Sequence, residues 1–352
     1  MARDRGREPA GGPRVAGIEL AAGVARVVVA RAEGGRLRVV GRGETALAAD
    51  AIAGGLVVEP RQVTAAVAAA LAAAERGIPA ERTAIAIDGD DVRTYHVKTP
   101  FDREESATPI LRAEVDRVVR DAREDAARVA QTAVADDPAL RGVATARLTD
   151  DVAALVLDGR ELDSIEGYRG RALEVHTDVA VAPLVLSGAA LATVAARRHP
   201  TAVPGIYALA RLVAASGIAD AGVVRVGADV TALAIVRERR VVGTRVFGLG
   251  LNAFAAREDT RDDDAHVWAE IVALPISSEN PPPERWLFVG VPEALLALPN
   301  ALAKIVGEAR GGAARIGPLT PSVTSRVFSD VPLHAEDLVA AGAAALATEV
   351  YS

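Results

Sequence analysis

Apolar residues early in the chain fall in short β-branched runs broken by small residues rather than at helical spacing. Val15 to Leu20, the turn Ala21-Ala22-Gly23 and Val24 to Val29 read as strand, turn, strand. The segment Val15 to Val40 predicts a β-hairpin that turns again at Glu33-Gly34-Gly35-Arg36, with a third strand near Gly43 to Ala46. The same pattern returns about 200 residues later, from Val223 through the turn at Gly227-Ala228-Asp229 to Val236. Helical spacing takes over at Pro60 to Arg76, where Val63, Val67 and Leu71 share a stripe. It recurs at Pro109 to Val134, where Ile110, Val115, Val118, Val119 and Ala122 form the buried side and Arg–Asp–Glu alternation covers the rest.

Between and beyond these, strands are predicted at Thr83 to Ile87, Val92 to Val97, Gly142 to Leu148, Val152 to Leu157 and Ala172 to Val181. Thr149-Asp150-Asp151 is read as a turn joining two of them, and Asp88-Gly89-Asp90-Asp91 as a tight turn rather than a calcium loop. Helices are predicted at Leu184 to Arg197, Pro204 to Ala215, Ala265 to Leu274, Ala294 to Val306 and Ala335 to Glu349. Strands are predicted at Leu233 to Val236, Arg240 to Val246 and Arg285 to Gly290, an acidic stretch at Glu258 to Asp264 and a linker at Ser277 to Pro283.

The 352 residues suffice for about two domains, and half are hydrophobic while only 3 % are aromatic. The cores must therefore be built of Ala, Val, Leu and Ile. A net charge of −7 argues against general nucleic-acid binding. The absence of cysteine excludes disulfides, thiolate metal sites and cysteine nucleophiles. Met1 to Arg14 reads as a disordered leader without a signal-peptide core, and no apolar run is long enough to span a bilayer.

Motif chemistry narrows the options. Neither Lys98 nor Lys304 follows a glycine, so there is no P-loop, and Gly248-Leu249-Gly250 lacks the third glycine of a dinucleotide fingerprint. The five histidines have no metal-ligand spacing, and no metal site is expected. Small residues at a hairpin turn let backbone N–H groups approach phosphate, and a nearby carboxylate would hold Mg²⁺. Glu19 is that carboxylate in the first hairpin, but Arg225 stands at the matching place in the second. Two hairpins without ligand, and a bound ligand without hydrolysis, both fit that pattern.

Several strings in order resemble the actin-like bacterial proteins of the FtsA and PilM type, of cell division and type IV pilus assembly. Val15-Ala16-Gly17-Ile18-Glu19-Leu20 is similar to the first phosphate hairpin, with Glu19 at its aspartate. Val223 to Val236 is similar to the second, with Arg225 at the first aspartate, Ala228 at a glycine and Ala232 at the last aspartate. Leu287-Phe288-Val289-Gly290-Val291-Pro292 resembles the adenosine strand and turn. Leu157-Asp158-Gly159 through Ile165 to Val175 resembles the inserted subdomain called SHS2 or 1C, which makes protein contacts in that family.

The resemblance implies an α/β, actin-like (ribonuclease-H-like) two-lobed fold with an inserted SHS2-type subdomain. Its expected divisions are a leader (1–14), a first lobe (15–83 and 183–215), the insert (84–182) and a second lobe (216–352) whose nucleotide-closing subdomain is shortened between Phe254 and Trp286. It implies a cytoplasmic pseudo-ATPase scaffold, reaching the membrane only through a partner, that docks a protein of a division or pilus complex and has scope to form homo-oligomers. The tail after Asp337 is Ala-rich and lacks the amphipathic membrane helix expected of FtsA. No catalytic residue and no cofactor are expected. Were nucleotide binding retained, Glu19, Gly23, Gly227, Thr231 and Gly290 would carry it, and an active Mg-dependent ATPase is the alternative. Tyr168, Arg169 and Arg171 are the expected partner contacts.

Overall fold

The computed structural model describes residues 12–197, 199–254, 261–274, 281–329 and 333–348. The chain opens as an antiparallel meander of β1 (Arg14–Ala21), β2 (Val24–Glu33) and β3 (Arg36–Ala46). A small hairpin of β4 (Ile52–Ala53) and β5 (Leu56–Val57) leads into α1 (Pro60–Glu75), and β6 (Arg82–Ile87) returns parallel to β1. Next come β7 (Arg93–Asp102), α2 (Arg112–Asp136), β8 (Thr145–Leu157), β9 (Arg160–Leu162) and β10 (Ala172–Pro183). α3 (Leu184–Ala192), β11 (Pro200–Pro204) and α4 (Gly205–Ala215) lead to β12 (Ala221–Val226), β13 (Thr231–Arg237) and β14 (Arg240–Phe247). The chain continues through α5 (Arg261–Ala273), β15 (Arg285–Val289), α6 (Ala297–Arg310), β16 (Arg315–Pro318), β17 (Phe328–Ser329) and α7 (Leu338–Ala347).

Three main sheets result. The first has the order β11-β6-β1-β2-β3-β17, the second β14-β13-β12-β15-β16 and the third β7-β10-β8-β9. Strand alternation sends Val15 to one face of the first sheet and Ala16 and Ile18 to the other. In the second sheet Val223 and Ala234 likewise oppose Val224 and Ile235. The inner faces of both sheets share one core with α4 and α7, while α1 and α3 cover the outer face of the first sheet and α5 and α6 that of the second. Alanine offers few atoms for dispersion contacts, so these layers gain contact by close backbone approach. A Cβ on Gly17 would lie 1.9 Å from Ala340 O on α7, and one on Gly41 1.8 Å from Ala74 O on α1.

Several sequence expectations need correction. Gly43 to Ala46 is not a separate strand: β3 runs unbroken because a bulge at Val29/Ala30 absorbs the misfit, and Gly41 and Gly43 mark helix contacts instead of breaks. Thr149-Asp150-Asp151 is no turn, since all three pair with β10 inside the single strand β8, again across bulges. The helix expected to reach Arg197 stops at Ala192, where the Thr193 hydroxyl donates to Ala190 O (2.7 Å). The Pro200–Pro204 segment is an unforeseen strand, and its prolines are tolerated because it lies at the sheet edge. Arg14, assigned to the leader, begins β1 and its guanidinium donates to Glu75 O (3.2 Å). Residues 1–11, Glu258 to Thr260 of the acidic stretch, Ser277 to Asn280 of the linker and Glu349 lie outside the described residues.

Candidate functional site

The same alternation that builds the layers places charge between them. Val15, Gly17 and Glu19 share the inner face of β1, and Ala221, Val223 and Arg225 share that of β12. Asp88 follows directly on β6. The Arg225 guanidinium lies between the two sheets and bonds Glu19 Oε1 through Nη2 and Asp88 Oδ2 through Nη1. All three side chains are buried, with Glu19 only 3 % exposed. Asp88 Oδ1 also accepts the backbone N–H of Ile206 (3.1 Å), in the first turn of α4, where a carboxylate meets the unpaired amides and positive end of the helix. Glu19 Oε2 faces Arg26 Nη1 at 3.8 Å.

Burial pushes the Glu19 and Asp88 carboxyls above the usual range, with Arg225 pulling each part of the way back. Burial by itself would lower the Arg225 value, but Glu19 and Asp88 together hold it above its ordinary range, so the guanidinium stays charged. One planar cation thus bridges two carboxylates through its two terminal nitrogens, while Glu19 Oε2 is buried without a hydrogen-bond partner. A second link spans the same cleft: Asp229, in the β12–β13 turn, accepts the Gly54 N–H (3.1 Å) and the Asn252 side-chain amide (2.9 Å).

Of the residues expected to hold nucleotide, Glu19 is engaged by Arg225. Gly227, Thr231 and Gly290 gather at the end of β12. Gly227 N donates to Val230 O (2.8 Å), and Gly290, at φ +82°, approaches Val226 so closely that a Cβ would sit 2.3 Å from its carbonyl. Thr231 is fully buried, donating to Leu249 O (2.6 Å) and accepting from Trp268 Nε1 (3.0 Å). Gly23 lies apart on the β1–β2 turn, with open space around it. Tyr168 and Arg169 are exposed, while Arg171 is held to Asp102 by a paired contact (3.0 and 3.2 Å). Sequence reasoning missed Asp88 and Asp229; the signal for Asp88 was an acid at the end of a β-branched strand, where side chains converge on the inter-sheet cleft.

No family model and no curated protein sequence match this chain. Its structure is similar to that of the PilM-PilN type IV pilus biogenesis complex, with a TM-score of 0.53 and 17 % identity, over 95 % of this chain and 98 % of that one. The fold is actin-like. Further similar structures are the ethanolamine utilization protein EutJ from Carboxydothermus hydrogenoformans and a protein with actin-like ATPase fold from Bacteroides thetaiotaomicron. The first has a TM-score of 0.46 and 14 % identity over 97 % of this chain and 92 % of that one; for the second the values are 0.45, 8 %, 87 % and 91 %. In this actin-like chain the Glu19–Arg225–Asp88 cluster stands between the two hairpin-bearing sheets.

Proposed function

We propose that this chain is a scaffold of actin-like fold that has exchanged nucleotide hydrolysis for a built-in ion cluster and works by docking a protein partner in a division or pilus-type assembly. The observation that carries this reading is Arg225. Its guanidinium takes up the carboxylates on which Mg²⁺ chemistry would depend, and a cation there repels a metal ion. Gly227, Thr231, Gly290 and Gly23 then serve as turn and packing residues in place of a phosphate cradle.

Docking is assigned to the third sheet and α2 (residues 93–183), the bulk of the insert expected at 84–182, whose first residues 84–87 belong to β6 of the first sheet. The solved complex of similar fold pairs PilM with PilN. Here α2 covers β7 and β10, leaving beside β8 a groove of about 610 Å³ lined by Val115, Val119, Val152 and Leu155 and bordered by charges of both signs, among them Arg112, Arg123, Asp116 and Asp150. Tyr168 and Arg169 border the neighbouring surface as further contacts. No helix among the described residues is long and apolar enough to cross a membrane.

Calorimetric titration with Mg-ATP, coupled to a phosphate-release assay, tests the reading. No heat of binding and no turnover are expected. Tight binding with phosphate release overturns the scaffold assignment in favour of an active ATPase that uses Glu19 for the metal.

A further inference from the structure

The third sheet has a second face, turned away from α2. Tyr95 and Val97 of β7 pack with Ala126 and Ala130 of α2, so alternation sends His96 to the opposite side. β10 places Asp178 directly across from His96, and β8 places Asp151 directly across from Asp178 on the other side. Tyr207 of α4 lies over this row. Its hydroxyl is 2.9 Å from Asp151 Oδ2 and 2.8 Å from Asp178 Oδ2. Tyr207 is fully buried and Asp178 nearly so, whereas the Asp151 side chain is 18 % exposed where it borders the α2 groove.

The three oxygens make two contacts, and a contact this short is attractive only with a proton between the atoms. Tyr207 brings one. Burial and the two flanking carboxylates push its phenol well above the usual value, so the hydroxyl stays protonated and donates to one carboxylate. The other contact sets lone pair against lone pair unless that carboxyl carries a second proton. Neighbouring cations compensate charge without filling this gap. Arg211 Nε lies 2.9 Å from Asp151 Oδ2 and His96 Nδ1 2.7 Å from Asp178 Oδ1, and neither places a proton between the three oxygens. Two ionised carboxylates directly opposite on neighbouring strands would also repel. Burial raises the Asp151 carboxyl against the pull of Arg211 and the Tyr207 hydroxyl; Asp178 pushes it further up and Arg123 of α2 draws it down. The remaining charged groups near the row are engaged elsewhere: Arg240 with His176 and Glu238, Arg237 with Asp220, Arg147 with Asp150, and Lys98 beside Glu174.

We propose that Asp151, Tyr207 and Asp178 share one proton beyond the phenol's own, and that this proton fastens the third sheet to α4. The joint is therefore sensitive to pH. With the proton present, the row runs carboxyl, phenol, carboxylate, and both contacts are hydrogen bonds. With the proton lost, one contact turns repulsive and β8 loosens from the helix. A group whose folded value is raised stabilises at low pH, and that contribution is lost as pH rises through the folded value. Asp151 is the member that meets solvent, so the proton exchanges through the edge of β8. The joint holds whether or not the α2 groove docks a partner, because every group in it belongs to the chain itself.

Two measurements test it. In the full chain labelled with ¹³C-aspartate, the Cγ signals of Asp151 and Asp178 should both follow one deprotonation with a midpoint above about pH 5.5, beyond the range of ordinary aspartates. The absence of any step above about that pH at either residue overturns the proposal. The second measurement uses Asp178→Asn. Its amide supplies a permanent N–H to the Tyr207 oxygen, its carbonyl keeps the His96 contact, and the Tyr207 hydroxyl is free to donate to Asp151. Hydrogen exchange of β8 and α4 amides should show wild-type protection falling about tenfold or more relative to this variant between about pH 5 and pH 8, since one pKa unit is a factor of ten. A ratio that stays constant across this range in the folded variant overturns the proposal. The carboxyl titration needs no substitution, so it decides the matter even where Asp178→Asn does not fold.

Discussion

Replacing Arg225 by methionine keeps much of the side-chain volume and removes the charge, leaving Glu19 and Asp88 buried with one distant cation, Arg26. Removing one member of a buried ion cluster costs about 3–5 kcal/mol, because the remaining charges are uncompensated. At roughly 1.4 °C per kcal/mol for a chain of 352 residues this is a fall in melting temperature of roughly 4–7 °C. The sign of the pH dependence follows from the carboxyls. Both sit above their ordinary range in the native protein, and the pull of Arg225 that restrains them disappears in the variant. Groups whose folded values are raised bind more protons folded than unfolded, so their contribution is present at low pH and is lost as pH rises through the folded values. The deficit of Arg225→Met should therefore be largest near pH 8 and shrink towards pH 5. Urea melts of both proteins at pH 5, 6, 7 and 8 measure it. Adding Glu19→Gln and Asp88→Asn to the variant should restore most of the loss at pH 8, because no buried charge then remains. A deficit below about 1 kcal/mol that is unchanged across this range, with no recovery in the triple variant, would refute the reasoning.

Other perturbations separate packing from electrostatics. Gly17→Ala should destabilise by about 3 kcal/mol or more, since the new methyl meets Ala340 O and the backbone of α7 must move; thermal melts check this. Tyr207→Phe removes the hydroxyl that contacts both Asp151 (2.9 Å) and Asp178 (2.8 Å) and should cost about 1–3 kcal/mol by urea denaturation. Asp229→Ala frees the Gly54 N–H and should accelerate hydrogen exchange there while leaving the core strands protected. Deleting the rim charge at Arg123 should lower capture of a cognate partner in pull-downs if the α2 groove is the docking surface; undiminished capture counts against that surface.

The hairpins and layers were legible because β-branched runs such as Val27 to Val29 and stripes such as Val63, Val67 and Leu71 record burial locally. Glycines were harder. Gly41 and Gly43 look like breakers in the sequence, yet what they report is a helix pressed against the strand, a contact made by residues some 30 positions away. The cluster was half legible. Arg225 could be recognised as out of place for metal binding, but its partners lie 206 and 137 residues away, and no periodicity links them. Asp88 was read as a turn residue because its neighbours Gly89, Asp90 and Asp91 make one. The His96 and Asp178 juxtaposition depends on the register of two strands separated by a helix and a bulged strand, which the chain order leaves open.

The seating of α7 sets an order of events during synthesis. Residues 338–347 fill the gap between β1 and α4, where Gly17 and Gly342 allow backbones to touch. Until that segment leaves the ribosome, the inner face of the amino-terminal meander lacks the helix that seats against β1, although its strands are complete some 300 residues earlier. Nascent chains must spend that interval with Val15, Val28 and Ala30 accessible to chaperones, and a ribosome stalled short of residue 338 should hold a chain that is rich in sheet yet sensitive to protease.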